Sequence, residues 1–548
     1  GATGSYVNFG PEFNFEQWYG FQIQWRSSDH SARYNVDGGS WTNWAPGIAP
    51  WTSGLDTVQL ETINAMTWDA IQENLIDFRD PVLVVPGLLG TEIKGGDELL
   101  WADVPRMVAN IGDSFMDLLM FKSDVTPNNT NLELSEVIRQ KPFFNYTDAL
   151  IGEFIAQGYV ENENLFTFPY DWRYGVTGKY ANGKTNVDLL KQKVADIMAQ
   201  TGAQKVDIIA HSMGGLIVKK YVVDNLASHH IGKTVFVGVP STGAPKSIKV
   251  LLQGDNFGVL GLNDAEMKRI SANMPAAYDL LPSQQYYNTK GSYVKVVDQG
   301  NLGAGPVTIK ELNYSEANSF LTDDHQLNST AMAQAEILHT QSFDNFDMRT
   351  AGVDLYSING CKTPTISNIV ESRAINIFGQ KIIDYKALKW GSGDKTVPLE
   401  SATNLPINQE NKFYSLNTNH GTMMGQDGSR QQIVNIISGS SLPVASGIIT
   451  QDIADCKLNG KAISVFSPVD IFVTDQQGNE LGNAQDGSVL NEIPNAAFEV
   501  FGDHKFLYLP TDDGQVYEVK MKGTGAGTYT IKVQEISNTE AAGMEVFS

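Results

Sequence analysis

Three residue types in a fixed order carry the chemistry of this chain: a serine in a tight turn, a carboxylate in a later glycine-rich turn, and a histidine after both. The serine is Ser212, in Ala210-His211-Ser212-Met213-Gly214, which fits the nucleophile pattern G-x-S-x-G except that alanine holds the first small position. Small residues are needed on either side because a strand and a helix cross closely there, and the turn strains the serine backbone. Taken alone, the same string also suits the entry to an ordinary helix with Ser212 as its cap. A serine hydroxyl attacks an acyl carbonyl when a base takes its proton and an acid orients the base. Around such a turn the partners follow in the order Ser, Asp or Glu, His.

Past Ser212 the histidines are His229, His230, His325, His339, His420 and His504. His229 and His230 come too soon for an acid to precede them, and His504 falls in a β-rich C-terminal stretch. His420 follows an apolar run directly, in Asn417-Thr418-Asn419-His420-Gly421, as suits a loop at the C-terminal end of a last strand. His325 and His339 read as structural or surface residues. Between serine and histidine, Gly391-Ser392-Gly393-Asp394-Lys395-Thr396-Val397-Pro398 offers Asp394 as the acid. The plain alternative is a turn aspartate, and Asp354 stands in reserve. Developing negative charge on the acyl oxygen calls for two backbone donors: the N–H of Met213, after the serine, and that of Leu88 in Pro86-Gly87-Leu88-Leu89-Gly90.

The elements that must position these residues are legible as apolar runs. Val206, Ile208 and Ile209 make a short strand, and Leu216, Ile217, Tyr221 and Val222 share a helical face. Strand candidates at 82–85, 165–168, 206–209, 234–239, 353–358 and 413–416 alternate with helix candidates at 148–157, 187–200, 214–224 and 330–343. That alternation predicts an α/β fold over 81–442, with a mostly parallel central sheet covered on both faces. Residues 244–282 form an insertion. Asn263 and Glu266 make a cap, and Met267, Ile270 and Met274 make an apolar stripe; they read either as a mobile lid or as a packed excursion of the core. Phe257, Val259, Leu260 and Leu262 add apolar surface before it.

Residues 1–80, with strand-like alternation at Phe21, Ile23 and Trp25, a turn at Asp37-Gly38-Gly39, and Trp41 and Trp44 after it, resemble part of a fibronectin- or immunoglobulin-like β-sandwich, joined by a helical connector over 67–79. Residues 443–548 read as a C-terminal β-sandwich of about seven short strands. Neither flank supplies a proposed catalytic residue, so both are expected to be dispensable for chemistry.

The chain has 548 residues and a net charge of −23. That acidity argues against a nucleic-acid partner and against anionic membranes as the main attraction. No apolar run reaches the roughly 18 residues that span a bilayer. The sequence opens at Gly1 without a methionine, as a mature or trimmed product would. Cys361 and Cys456 form no C-x-x-C motif and fall in different expected domains, which favours free thiols. Asn128, Asn145, Asn313 and Asn328 lie in N-x-S/T sequons. Nothing calls for a metal or a cofactor, and nothing sets an oligomeric state.

Collinear motifs carry a resemblance. PVLVVPGLLGTEI from Pro81, Trp101, FPYDWR from Phe168, AHSMGG from Ala210, GVPSTGAPKSIKVLLQGDN from Gly238, GSGDKTVP from Gly391 and NHG from Asn419 follow one another in order. Together the sequence resembles the lecithin:cholesterol acyltransferase family of α/β-hydrolases over about 81–432. Pro240-Ser241-Thr242 departs from the form common in that family, and the flanking β-regions are not covered. The resemblance implies Ser212, Asp394 and His420 as a catalytic triad, Leu88 and Met213 as oxyanion donors, and a lipid or other acyl ester as substrate. A secreted or cell-surface serine ester hydrolase in transient contact with a lipid surface is expected. Two alternatives stay open: a lipid O-acyltransferase using the same acyl-enzyme, and a non-catalytic adhesion protein. Asp171 and Arg173 read as an ion pair bracing a strand end, or as head-group contacts.

Overall fold

The central sheet carries six strands that pair in parallel, in the order Leu165–Thr167, Val82–Val85, Val206–His211, Ile231–Val237, Asp354–Cys361 and Lys412–Leu416; Ile449–Thr450 closes it antiparallel. These come from a computed structural model that describes residues 21–26, 31–36 and 77–547, apart from 110–113, 142–143, 260, 302–305, 445–446, 467, 484–488 and 512–513. Every residue of Val82–Val85 and Val206–His211 is buried. Burial on both faces is why these strands read as unbroken apolar runs rather than as alternation. Helices Asn186–Thr201 and Met213–Asp224 pack on Val206–His211 and on each other. The architecture is an α/β fold consistent with the α/β-hydrolase superfamily.

The chain forms two compact units, 1–81 and 82–548. In the first, Phe21–Arg26 pairs antiparallel with Ser31–Val36 and parallel with Asp77–Phe78. The expected connector helix therefore yields to a strand at Asp77–Phe78. Its residues 67–76 lie outside the described residues, as do the turn at Asp37-Gly38-Gly39 and Trp41 and Trp44.

A second sheet was not anticipated. It runs in the order Thr308–Glu311, Val294–Asn301, Thr363–Ile375 and Lys381–Gly393, the last two forming a hairpin of 13-residue strands. Thr363–Ile375 buries its first ten residues although Thr365, Ser367, Asn368 and Glu371 are polar. Buried polar groups with partners erase the apolar signal on which strand recognition depends. The helix expected at 330–343 is two helices, Ser329–Leu338 and Gln341–Asp344. They break where Thr340 caps the second and the buried His339 ring meets Asp344 Oδ1 at 2.7 Å and the Asp279 carbonyl at 2.8 Å.

The segment 244–282 folds as helices Lys246–Gln253, Asp264–Ser271 and Pro275–Asp279. Asn263 caps the second as expected, accepting from the N–H groups of Ala265 and Glu266. Met267, Ile270 and Met274 are at most 1% exposed and belong to the main core. The stripe faces protein because its helix packs on Lys246–Gln253 and on the turn Ser114–Leu119, so it is a packed excursion and not an acyl-chain lining. Leu262 is buried, Phe257 and Val259 pack partly against the same core, and Leu260 lies outside the described residues.

Among the described residues past 456, a five-stranded and a four-stranded antiparallel sheet are present, nine strands where about seven were expected. Val465 and Leu507 from one sheet and Ile471 and Leu481 from the other share a hydrophobic cluster. The free-thiol expectation is overturned: Cys361 and Cys456 form a disulfide, with Cα atoms 5.3 Å apart. The cause lies in the boundary. Ile449–Thr450 still pairs with Lys412–Leu416, so Cys456 lies close to the central sheet, beside the end of the strand that carries Cys361.

Candidate active site

Ser212 sits at the end of its strand with φ +53° and ψ −130°, a region costly for any residue with a side chain. The crossing behind it leaves no room: a Cβ on Gly214 would come 2.3 Å from the Pro86 carbonyl oxygen, and one on Gly87 would come 2.7 Å from Ser212 Cβ. The loop after Val82–Val85 therefore presses directly on the serine. The amides of Leu88 and Met213 each follow one member of the Gly87–Ser212 contact, where donors to an oxyanion are wanted. The Leu89 carbonyl accepts the Trp101 indole N–H at 2.7 Å, holding the loop from outside.

Asp394 arrives at the end of Lys381–Gly393 and is fully buried. Its Oδ1 accepts from the N–H groups of Thr396 (3.0 Å) and Val397 (2.7 Å), and its Oδ2 lies 2.8 Å from His420 Nδ1. The His420 N–H in turn donates to the Asp394 carbonyl at 2.8 Å. With Oδ2 accepting, the proton is assigned to Nδ1, and Nε2 is left to accept from Ser212 Oγ at 2.8 Å. An acid-oriented base within reach of a hydroxyl can move a proton off that hydroxyl and return it to a leaving group. Ser212, Asp394 and His420, drawn from loops far apart in sequence, are thus brought together. Ser212 is only 5% exposed and the His420 side chain 11%.

A second network was missed in the sequence. The His211 ring, buried beside Ser212, lies 3.0 Å from the Tyr146 hydroxyl through Nδ1 and 3.0 Å from the His420 carbonyl through Nε2. Burial, and then the neighbouring His420, push His211 well below the ordinary imidazole range, so it is neutral. A carbonyl can only accept, so Nε2 carries the proton and Nδ1 accepts from Tyr146 O–H. Burial pushes the Tyr146 hydroxyl above the ordinary phenol range, with the nearby Gly87 N–H opposing that shift. Tyr146, His211 and His420 form one chain of hydrogen bonds leading to the loop that carries the base. The available signal was His211 itself, because a histidine inside a buried turn must find partners for both nitrogens.

The remaining candidates stand elsewhere. His229 meets the Ala351 carbonyl, His325 meets Glu371, and His504 lies 2.6 Å from Asp384. Asp354 is exposed at the start of its strand, away from the end where Ser212 sits. Asp171 and Arg173 form a buried two-pronged ion pair (2.6 and 2.9 Å), with Arg173 also donating to the Leu119 carbonyl. That is the bracing role. Ser241 and Thr242, at the departure from the family pattern, are buried, and the Thr242 N–H donates to Ser401 Oγ at 3.1 Å. The sequon residues Asn313 and Asn328 cap helices with their side chains. A cavity of about 320 Å³ bordered by Leu252, His325, Tyr385 and Gly502 contains none of the site residues.

The family described as lecithin:cholesterol acyltransferase matches residues 133–351. A lecithin-cholesterol acyltransferase-like protein of Arabidopsis thaliana is 23% identical over 63% of this chain and 81% of its own length. The lysosomal phospholipase A and acyltransferase of Bos taurus is 21% identical over 59% of this chain and 82% of its own. With the phosphatidylcholine-sterol acyltransferase of Gallus gallus the identity is 26%, over 24% of this chain and about a third (32%) of that protein. Over residues 133–351 the chain is similar to the lecithin:cholesterol acyltransferase family.

Proposed function

We propose that this lecithin:cholesterol acyltransferase-like chain is a serine ester hydrolase of lipid acyl esters, working through an acyl-enzyme on Ser212. The observation that supports it most is the 2.8 Å pair of contacts from His420, one to Ser212 Oγ and one to Asp394 Oδ2. His420 Nε2 takes the Oγ proton as Oγ bonds to the acyl carbon, and the carbonyl oxygen gathers charge between the amides of Leu88 and Met213. Collapse breaks the ester C–O bond, and the proton passes from Nε2 to the leaving alkoxide. Water then repeats the sequence in reverse and frees the acid. Asp394 holds the Nδ1–H tautomer throughout and stabilises the imidazolium.

The relative of Bos taurus is named for both a phospholipase A and an acyltransferase activity. Transfer is therefore the second reading for this chain, and it differs only in which hydroxyl enters the acyl-enzyme. An adhesion protein without catalysis would have no use for three side chains held at these distances. In architectural terms we read an α/β-hydrolase domain from 81 through the strand Ile449–Thr450, with 244–282 packed as an excursion of its core, a partial β-module at 1–80, and a β-sandwich from about 457 to 548. A disulfide fits an oxidising, extracellular setting. The test is a panel of phospholipid and triacylglycerol substrates with and without an added alcohol, products resolved by mass. Free fatty acid from the full chain supports hydrolysis, and a new ester supports transfer. Neither product from any acyl ester would overturn both.

A further inference from the structure

The hairpin that delivers Asp394 has a far end with no part in the site. Its turn runs Ile375-Asn376-Ile377-Phe378-Gly379-Gln380-Lys381. Phe378 (78% exposed) is the most exposed large apolar side chain among the described residues, and Ile377 (75%), Ile375, Ile382 and Ile383 are exposed beside it. Val307 and Ile309 add to the same end of the sheet, because the register Thr308–Asp298–Arg373–Ile383 sets them level with the base of the turn. Apolar side chains gathered at one projecting end are costly in water and mark a contact surface.

What the surface meets follows from its polar groups. The Asn376 side-chain oxygen accepts from the N–H groups of Phe378 and Gln380, both at 2.9 Å, and its amide nitrogen donates to Gln380 Oε1 at 2.9 Å. The Gly379 N–H donates to the Asn376 carbonyl at 3.0 Å, and the Asn376 N–H to the Gln380 carbonyl at 2.9 Å. The turn therefore satisfies the N–H groups of Asn376, Phe378, Gly379 and Gln380 within itself. A segment entering hydrocarbon must do so, since every unsatisfied backbone group there is expensive. A protein strand added at the turn would find those amides already used. From 374 to 380 there is no charge; behind the turn, Asp324 bridges Lys381 (3.1 Å) and Arg373 (2.8 Å). Charges of both signs at that depth match head groups carrying both signs. The net charge of −23 opposes a strongly anionic surface.

We propose that this hairpin tip docks the protein on a zwitterionic lipid layer, with Ile377 and Phe378 entering below the head groups. The choice of lipid as partner rests on the proposed ester hydrolase function. The strand Lys381–Gly393 runs from the tip to Asp394, so docking anchors one wall of the site to the lipid.

The test uses the full chain with phosphatidylcholine vesicles and, in parallel, vesicles rich in phosphatidylglycerol. Both native cysteines are paired, so Ile377→Cys takes a single environment-sensitive dye, with Glu163→Cys on another surface as control. Phosphatidylcholine vesicles should shift the Ile377 label to the blue and leave the Glu163 label unchanged. The double variant Ile377→Ser/Phe378→Ser should lose vesicle partitioning at least about tenfold, while its turnover of a soluble short-chain ester and its melting temperature stay as in the parent. Parent partitioning equal to that of the double variant overturns the proposal, as does binding to anionic vesicles alone, or a change from dimer to monomer in the variant without loss of vesicle binding. Vesicle binding through the tip by a protein that cleaves no ester would retain the docking site and remove the proposed function. Ester cleavage without vesicle binding would do the reverse.

Discussion

Replacing Asp394 by asparagine changes one atom and, on the geometry of this site, reverses the base. Asp394 Oδ1 already accepts two backbone N–H groups, from Thr396 and Val397, while Oδ2 faces His420 Nδ1. An asparagine must keep its single side-chain oxygen toward those two donors, because turning its NH₂ group to them would set donor against donor in a fully buried place. The NH₂ group therefore faces His420 and donates to Nδ1, which forces the imidazole proton onto Nε2. There it points at Ser212 Oγ and cannot accept from it. The same swap in a serine protease lowers kcat by about 10⁴ with the geometry kept, equivalent to about 5.4 kcal/mol of barrier. We expect that scale for Asp394→Asn on a soluble short-chain nitrophenyl ester, with the fold intact by thermal melting. A loss of less than about tenfold in kcat would refute the assignment of both the acid and the tautomer. Asp354→Asn, at the far end of the neighbouring strand, should leave kcat unchanged.

Other expectations follow from the surroundings of the site. Tyr146→Phe removes the hydroxyl that donates to His211; losing one hydrogen bond of about 1–2 kcal/mol should lower kcat about tenfold with KM little altered, and steady-state kinetics with an unchanged kcat would dismiss the network. Truncation to residues 81–442, read from sequence as a self-sufficient catalytic piece, should instead melt far below the parent. It removes the strand Ile449–Thr450, unpairs Cys361, and takes Glu499 from Lys249, whose ammonium lies buried between Asp255 and Glu499 at 2.7 and 2.6 Å. Breaking such a buried set costs about 3–5 kcal/mol by itself, so a truncated protein that melts with the parent would contradict the contacts. Burial pushes Lys219 down to about 8. The unfolded chain then binds more protons between that value and the ordinary 10.5, so stability from this group is lost as pH falls through that window and rises with pH across it. Lys219→Met should flatten the rise in denaturant midpoint between pH 8 and 10, and an unchanged slope would place the shift elsewhere.

What could be read in the sequence was what burial writes into it. Val82–Val85 and Val206–His211 are buried on both faces, and their apolar runs place the Ser212 turn and the loop of Leu88. The glycines at 87 and 214 are where another backbone or side chain leaves no room for a Cβ, and they were legible for that reason. The hairpin 363–393 was not, because its strands bury Asn368 and Glu371 against partners supplied by distant parts of the chain, and Thr365 against the neighbouring Thr363 carbonyl. The Met267 stripe showed that a helix face is apolar, but periodicity alone does not say whether protein or ligand covers it. Cys361 and Cys456 were misjudged through a boundary set seven residues ahead of Ile449, where a two-residue edge strand carries too little pattern to be seen. Tyr146 left no mark at all, since its role exists only through His211 in space.

The most direct measurement of the central claim is intact-protein and peptide mass spectrometry after exposure to a fluorophosphonate, comparing the parent chain with Ser212→Ala. The chemistry proposed for this site predicts one adduct per chain, located on Ser212, absent from the variant, and slowed in step with ester turnover in Asp394→Asn. An adduct of equal yield in parent and Ser212→Ala, or one mapped to any other residue, would contradict it.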